Sequence, residues 1–149
     1  MVQQLSSGAG ADPALPIDQR PLVVVVEDNR TNARLTSTIL QAAGYQAAVA
    51  YDGDEGLRLV KQLLPALVIL DLQMPGMDGL TLAKHLKADP HTASLPLVVL
   101  TAHAMDEHRE RAMAAGCTCF ITKPIRYQQF VADIAQVLEQ HPSLGVPQA

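Results

Sequence analysis

Leu67-Val68-Ile69-Leu70-Asp71-Leu72-Gln73-Met74-Pro75-Gly76-Met77-Asp78-Gly79 is the stretch that decides the fold. Its first four residues are apolar and of strand length. A turn-rich segment follows and opens a helical pattern, so the carboxylate of Asp71 is set at the carboxyl end of a buried strand. Three other apolar runs end similarly. Residues 22–26 run into Glu27-Asp28, residues 97–100 into Thr101, and residues 119–121 into Thr122-Lys123-Pro124. In open parallel α/β sheets, ligands bind outside the carboxyl ends of the strands. Three acids, a hydroxyl and an ammonium are expected to meet there, as a site for metal plus phosphate.

Between these runs the pattern alternates. Strand one is expected over 22–27. Asn29 then caps a helix that buries Leu35, Ile39, Leu40 and Ala43 and closes at Gly44. Residues 46–50 form a weaker second strand. Asp52 and Glu55 have capping-box spacing ahead of a helix with Leu57, Leu59, Val60, Leu63 and Leu64 apolar, stopped by Pro65. Strand three covers 66–71. A helix over 79–88, with Leu80, Ala83, Leu86 and partly Leu82 inward, ends at Asp89-Pro90. Strand four covers 96–101, a helix 104–115, and strand five 118–122. The last helix, 126–140, carries the clearest stripe: Tyr127, Phe130, Val131, Ile134, Val137 and Leu138.

Strands each followed by a helix imply an α/β fold, a doubly wound five-stranded parallel sheet with helices on both faces. Strands one, three and four are the most continuously apolar and belong in the centre, with strand two at an edge. Right-handed crossovers then leave few topologies. The flavodoxin-like order 2-1-3-4-5 fits and puts the switch point between strands one and three, whose ends carry Asp28 and Asp71.

The 149 residues suit one domain. Residues 1–20 and 141–149 read as tails rich in small residues and proline, flanking a domain over 21–140, with disorder expected to about residue 19. A net charge of -4 with scattered Lys and Arg argues against nucleic-acid binding. The amino terminus has no secretory pattern and no apolar run reaches membrane-span length, so a cytoplasmic location without membrane contact is expected. Cys117 and Cys119 are expected on opposite faces, as one buried and one partly exposed thiol without a disulfide. His85, His91, His108 and His141 read as solvated surface, and His103 as a loop residue near the site rim.

The pieces Val26-Glu27-Asp28-Asn29, Leu70-Asp71, Met74-Pro75-Gly76-Met77-Asp78-Gly79, Thr101-Ala102 and Lys123-Pro124, each at a strand end and in this order, resemble the receiver domain of a two-component response regulator. The likeness covers residues 21–140 and places the chain in the CheY-like superfamily. Asn29 and Asn32 are similar to the pattern of stand-alone cell-division-type regulators and of hybrid histidine kinase receivers.

The resemblance implies a phosphoacceptor signalling domain of a bacterial two-component system or phosphorelay. Asp71 would accept phosphate from a histidine kinase or phosphotransfer protein. Asp28 would hold Mg²⁺ directly, together with Asp71, and Glu27 through water. The backbone carbonyl of Gln73 would add a further ligand. Lys123, aimed by a cis bond to Pro124, and Thr101 would contact the phosphate. Thr101 and Phe120 would form the switch, Phe120 standing where many members carry Tyr. A downstream protein would dock on the face of the fourth helix, fifth strand and fifth helix, with Met105, Glu107, Arg111, Phe120 and Arg126 among its members.

Each role has a structural alternative. Glu27 or Asp28 could cap the first helix, Asp71 could be a helix cap, Lys123 a surface lysine, and Thr101 a strand-end residue favoured by β propensity. A receiver fragment of a hybrid kinase is an alternative to a stand-alone regulator. An aspartyl-phosphate phosphatase of the haloacid dehalogenase type is disfavoured. Its nucleophile follows strand one, and Gln73 replaces its acid and cannot move a proton. A flavin carrier would need a Ser/Thr/Gly-rich loop after strand one.

Overall fold

The computed structural model describes residues 14–72, 74, 76–102 and 106–140. Five parallel strands, β1 (Leu22–Val26), β2 (Gln46–Ala50), β3 (Leu67–Asp71), β4 (Leu97–Thr101) and β5 (Cys119–Thr122), form one sheet of order β2-β1-β3-β4-β5. The helices are α1 (Arg30–Ala42), α2 (Gly53–Leu63), α3 (Gly79–Ala88), α4 (Asp106–Ala114) and α5 (Tyr127–Gln140). The expected order is the observed one.

Strand alternation explains the two layers. Val23, Val25, Leu67, Ile69, Val98 and Leu100 point to the side covered by α1 and α5, where Leu40, Phe130 and Ile134 meet them. Val24, Val26, Val68, Leu70, Leu97 and Val99 point the other way, onto Val60, Leu82, Leu86 and Ala112. Every residue of β3 and β4 is buried, which is why those runs are unbroken rather than alternating. Each fully buried Val, Leu or Ile here contributes roughly 1.5–3 kcal/mol of transfer free energy. Register then fixes the strand ends: Val26 pairs with Ala50 and Leu70, and Asp71 with Leu100, so the β1–α1 and β3–α3 loops leave the sheet side by side.

Several inward assignments need correction. Leu35 is 53% exposed: the buried stripe of α1 runs through Ala33, Thr36 and Leu40, and Leu35 lies about 100° around the helix from Thr36. Leu63 and Leu64 are exposed, because Leu64 takes a left-handed conformation (φ 46°) that turns the chain off the buried stripe one residue before Pro65. Tyr127, at the first position of α5, is also exposed, and the stripe begins at Phe130. In α3, Leu82 is fully buried and Leu80 only partly.

The caps follow the sequence. Asn29, Asp52 and Asp78 accept from the backbone N–H groups of Asn32, Glu55 and Thr81. Glu55 does not complete a capping box; its carboxylate accepts from the N–H of Tyr51 instead. Residues 14–20, inside the stretch expected as a tail, carry one 3-10 turn (Ile17–Gln19), and the Gln46 side chain donates to the Arg20 carbonyl.

Cys117 and Cys119 are free thiols in opposite layers. Strand alternation alone would put residues two apart on one face. The opposition arises because Cys117 precedes β5 and folds under α3, while Cys119 is the first residue of the strand. Of the histidines, His85 and His91 are exposed; His103 and His141 fall outside the described residues, as does the side chain of His108. No helix among the described residues is long and apolar enough to cross a membrane.

Candidate functional site

The carboxyl ends of β1, β3, β4 and β5 bring Glu27, Asp28, Asp71, Thr101 and Lys123 to one edge of the sheet. Glu27 follows Val26 directly, and its N–H donates to the Ala50 carbonyl at 3.0 Å, continuing the β1–β2 ladder by one residue. It is 2% exposed. Its carboxylate accepts from the Asn29 N–H at 3.2 Å on one oxygen and from Lys123 Nζ at 2.9 Å on the other. Lys123 Nζ also lies 3.1 Å from Asp71 Oδ2, so one ammonium ties the ends of three strands together. The cap of α1 is Asn29, and neither Glu27 nor Asp28 takes that role.

The Lys123 N–H donates to the Thr101 carbonyl at 2.7 Å, and the Lys123–Pro124 peptide bond is cis. Thr101, the last residue of β4, is fully buried. Asp71 is 7% exposed at the end of β3. The chain then turns, and the Gly79 N–H returns to the Leu72 carbonyl at 3.1 Å. A Cβ on Gly79 would overlap the Asp71 carbonyl oxygen. Gly79 therefore sets how closely α3 backs the Asp71 loop, a role that sequence reasoning missed. Asp-Gly ahead of a helical pattern was its only signal.

Carboxylate oxygens of Glu27, Asp28 and Asp71 lie within 4.8 Å of one another. Asp28 is exposed while the other two are buried. Burial pushes the Glu27 carboxyl up to about 7, and the neighbouring Asp71 pushes it the same way, against the opposing pull of Lys123. Burial lowers the Lys123 ammonium, but its bonds to Glu27 and Asp71 outweigh this and hold its pKa above the ordinary lysine value. Three acids and one ammonium leave a local excess of negative charge. Burial and the neighbouring Asp71 both disfavour the charged form of Glu27, and Lys123 offsets them only in part. An all-oxygen donor set with that excess could hold a hard divalent cation.

Beside this cluster a cavity of about 350 Å³ is lined by Asn32, Leu35, Thr36, Ala102, Lys123, Pro124 and Ile125. The exposed Leu35 belongs to this opening. Phe120 is half-buried on β5 against the α2–α3–α4 layer, with the Arg109 guanidinium 5.7 Å from its ring centroid. Arg111 and Arg126 are exposed. Gln73 and Met105 fall outside the described residues, as does the side chain of Glu107.

A family model described as the response regulator receiver domain matches residues 23–135. Polar-differentiation response regulators DivK of Brucella anthropi and Brucella abortus are each 35% identical over 116 residues, covering 78% of this chain and 94% of theirs. Among solved structures, a response regulator from Chloroflexus aurantiacus superposes with a TM-score of 0.78 at 31% identity, covering 80% of this chain and 98% of that one. The signal receiver domain of a signal transduction histidine kinase from Syntrophus aciditrophicus gives 0.76 at 29%, covering 87% and 98%. A chemotaxis protein of Vibrio cholerae gives 0.77 at 27%, covering 80% and 99%. The match takes in β2 to β5, all but the first residue of β1 and every acid of the cluster, and the chain belongs to the receiver domain family of two-component response regulators.

Proposed function

We propose that this chain is a single-domain response regulator that accepts a phosphoryl group on Asp71 from a histidine kinase or phosphotransfer protein. The observation that carries the reading is the Lys123 ammonium between Glu27 and Asp71, above a cluster of three carboxylates at the switch point of the sheet. An Asp71 carboxylate oxygen attacks phosphorus, and the donor's phosphorus–nitrogen bond breaks with its electron pair leaving on the imidazole. The product is an acyl phosphate on Asp71.

Asp28 and Asp71 would hold Mg²⁺, with Glu27 acting through water and the Gln73 carbonyl as a further ligand. When bound, the ion offsets charge on the transferring oxygens. Lys123 sits within reach of the acceptor and places a point charge against the phosphate. Thr101 lies at the neighbouring strand end, and its hydroxyl would donate to a phosphate oxygen. The opening beside Lys123, with Leu35 on its rim, gives a donor protein an apolar surface next to the acceptor.

The output surface is that of α4, β5 and α5. Thr101 moves toward the arriving phosphate and Phe120 turns inward behind it. A protein partner fits this face better than DNA does: the net charge is -4, and among the described residues no basic stripe runs along a helix. The DivK response regulators match over 94% of their own length, which leaves little room in them for a second domain and favours that reading over a receiver cut from a hybrid kinase.

Intact-mass spectrometry tests the acceptor. With Mg²⁺ and a small acyl phosphate or amidophosphate donor, the wild-type chain gains one phosphoryl group and Asp71→Asn gains none. Equal labelling of the Asn variant removes Asp71 from the role.

A further inference from the structure

Arg30 is the first residue of α1, directly after Glu27-Asp28-Asn29, and it is exposed. Its guanidinium carbon lies 4.1 Å from the ring centroid of Tyr51, inside cation–π range. Tyr51 is well placed to be an anchor. It follows Ala50, whose carbonyl accepts from the Glu27 N–H, and its own N–H donates to Glu55 Oε1 at 2.8 Å. The next residue, Asp52, caps α2. The Tyr51 backbone is therefore held from both sides, and its half-buried ring stands at the end of β2.

The loop that presents Asp28 has a different character. Glu27 is tied down by Lys123, Asn29 and Ala50, and Asn29 by its cap. Asp28 lies between them and is exposed, so its direction depends on where the loop enters α1. Arg30 is the residue at that entry, and its side chain crosses to Tyr51. We propose that the Arg30–Tyr51 stack is a positioning element that fixes the β1–α1 loop against the end of β2 and so aims the Asp28 carboxylate at the cation. The ring also keeps a guanidinium only two residues from Asp28 turned to the aromatic face rather than onto the acids it would otherwise pair with. This rests on the reading of Asp28 as a magnesium ligand.

Charge and position give opposite signs, which makes the inference testable. If Arg30 acted only as a nearby cation, its removal would tighten Mg²⁺ binding by relieving repulsion. As a positioning residue, its loss weakens binding. Tyr51 carries no charge, so its variants change Mg²⁺ binding only through its stack with Arg30.

The experiment titrates the full chain with Mg²⁺ alone and follows backbone amide shifts by NMR. Tyr51→Ala should raise the dissociation constant about two- to fivefold, the size expected of an exposed cation–π contact. Tyr51→Phe, which keeps the ring face, should match the wild type. In an Arg30→Gln background, Tyr51→Ala should cost nothing further, since the interaction is already gone. Asp28→Asn in the same series checks the underlying reading: unchanged affinity there refutes the magnesium role of Asp28. A strong Asp28→Asn effect with Tyr51→Ala at wild-type affinity, or the same Tyr51→Ala loss with and without Arg30, overturns the positioning role of the stack.

Discussion

Lys123 Nζ reaches Glu27 Oε1 at 2.9 Å across 96 residues of sequence. The contact closes a triangle with Asp71 at the carboxyl edge of the sheet, and it exists only because β1, β3 and β5 end at one level. Without the ammonium, two buried carboxylates would face each other with no counter-charge.

Lys123→Met is expected to test that statement thermodynamically. The variant loses two charge-assisted hydrogen bonds, so its metal-free form should be less stable by roughly 1–3 kcal/mol near pH 8. Millimolar Mg²⁺ should restore a larger share of stability in the variant than in the wild type, because the cation takes over the missing charge. Urea unfolding with and without Mg²⁺ measures both. Identical midpoints for the two proteins in chelator would show that Lys123 contributes nothing to the resting site.

Gly79→Ala and Gly76→Ala should differ in kind. The added methyl at 79 meets the Asp71 carbonyl and the Leu72 backbone, so the Asp71 loop or α3 must shift, at about 1–3 kcal/mol. Phosphorylation should slow with it. At 76 the space is open but φ is +76°, so the cost is backbone strain of about 1–2 kcal/mol, with phosphorylation near wild type. Equal phosphorylation rates in the two variants would remove Gly79 from any part in placing the acceptor.

The cysteines give a pH-dependent prediction. Burial pushes the Cys117 thiol up to about 11, Lys87 opposing it only in part. Burial, with Asp133 nearby, also raises Cys119. A group whose folded pKa is raised holds its proton more tightly when folded. Its stabilising contribution is therefore complete below its ordinary value of 9.0 and is lost as pH climbs through about 11. The wild type should lose stability relative to Cys117→Ala between those limits, on the order of 1–2 kcal/mol. At pH 8 about one Cys117 in a thousand is thiolate, so alkylation in the native state should be slow until denaturant is added. Fast native labelling at Cys117 would contradict the buried assignment.

The layers and the strand order were legible because each central strand is a continuous apolar run ending in a polar residue with chemistry. Asp71, Glu27, Asp28, Thr101 and Lys123 could all be named from that rule and from the resemblance. Their mutual distances could not. The Lys123–Glu27 contact joins residues far apart in sequence, and the approach of Gly79 to Asp71 is a property of backbone packing that leaves no side-chain signature. The helix faces were misread where a leucine lay just off the buried stripe. Leu35 is apolar and at helical spacing from Ile39, but only the position of Lys123 and Pro124 explains what it lines. The Arg30–Tyr51 stack was hidden for a similar reason: it joins the start of α1 to the end of β2 through side chains that also read as ordinary surface.

Among the described side chains of α4, Ala112 is buried while Arg109, Arg111 and Met113 are exposed, so few apolar contacts anchor this helix to the sheet. The Arg109 guanidinium near Phe120 adds one link between α4 and β5. A phosphoryl group on Asp71 adds charge and acceptor oxygens at a fixed point. To be read elsewhere, it must bias an element with two arrangements, and the lightly held α4 is the element closest to that description. A shift of Thr101 with Phe120 turning inward would take the ring away from Arg109 and loosen the α4–β5 link. Hydrogen exchange with and without a beryllofluoride mimic of the phosphate should therefore show altered protection in α4, β5 and α5, as well as around Asp71. Arg109→Ala should raise exchange in α4 of the unmodified protein toward the level seen with the mimic. Changes confined to the loops around Asp71, with α4 and α5 at their unmodified rates, would exclude this face as the reader of phosphorylation.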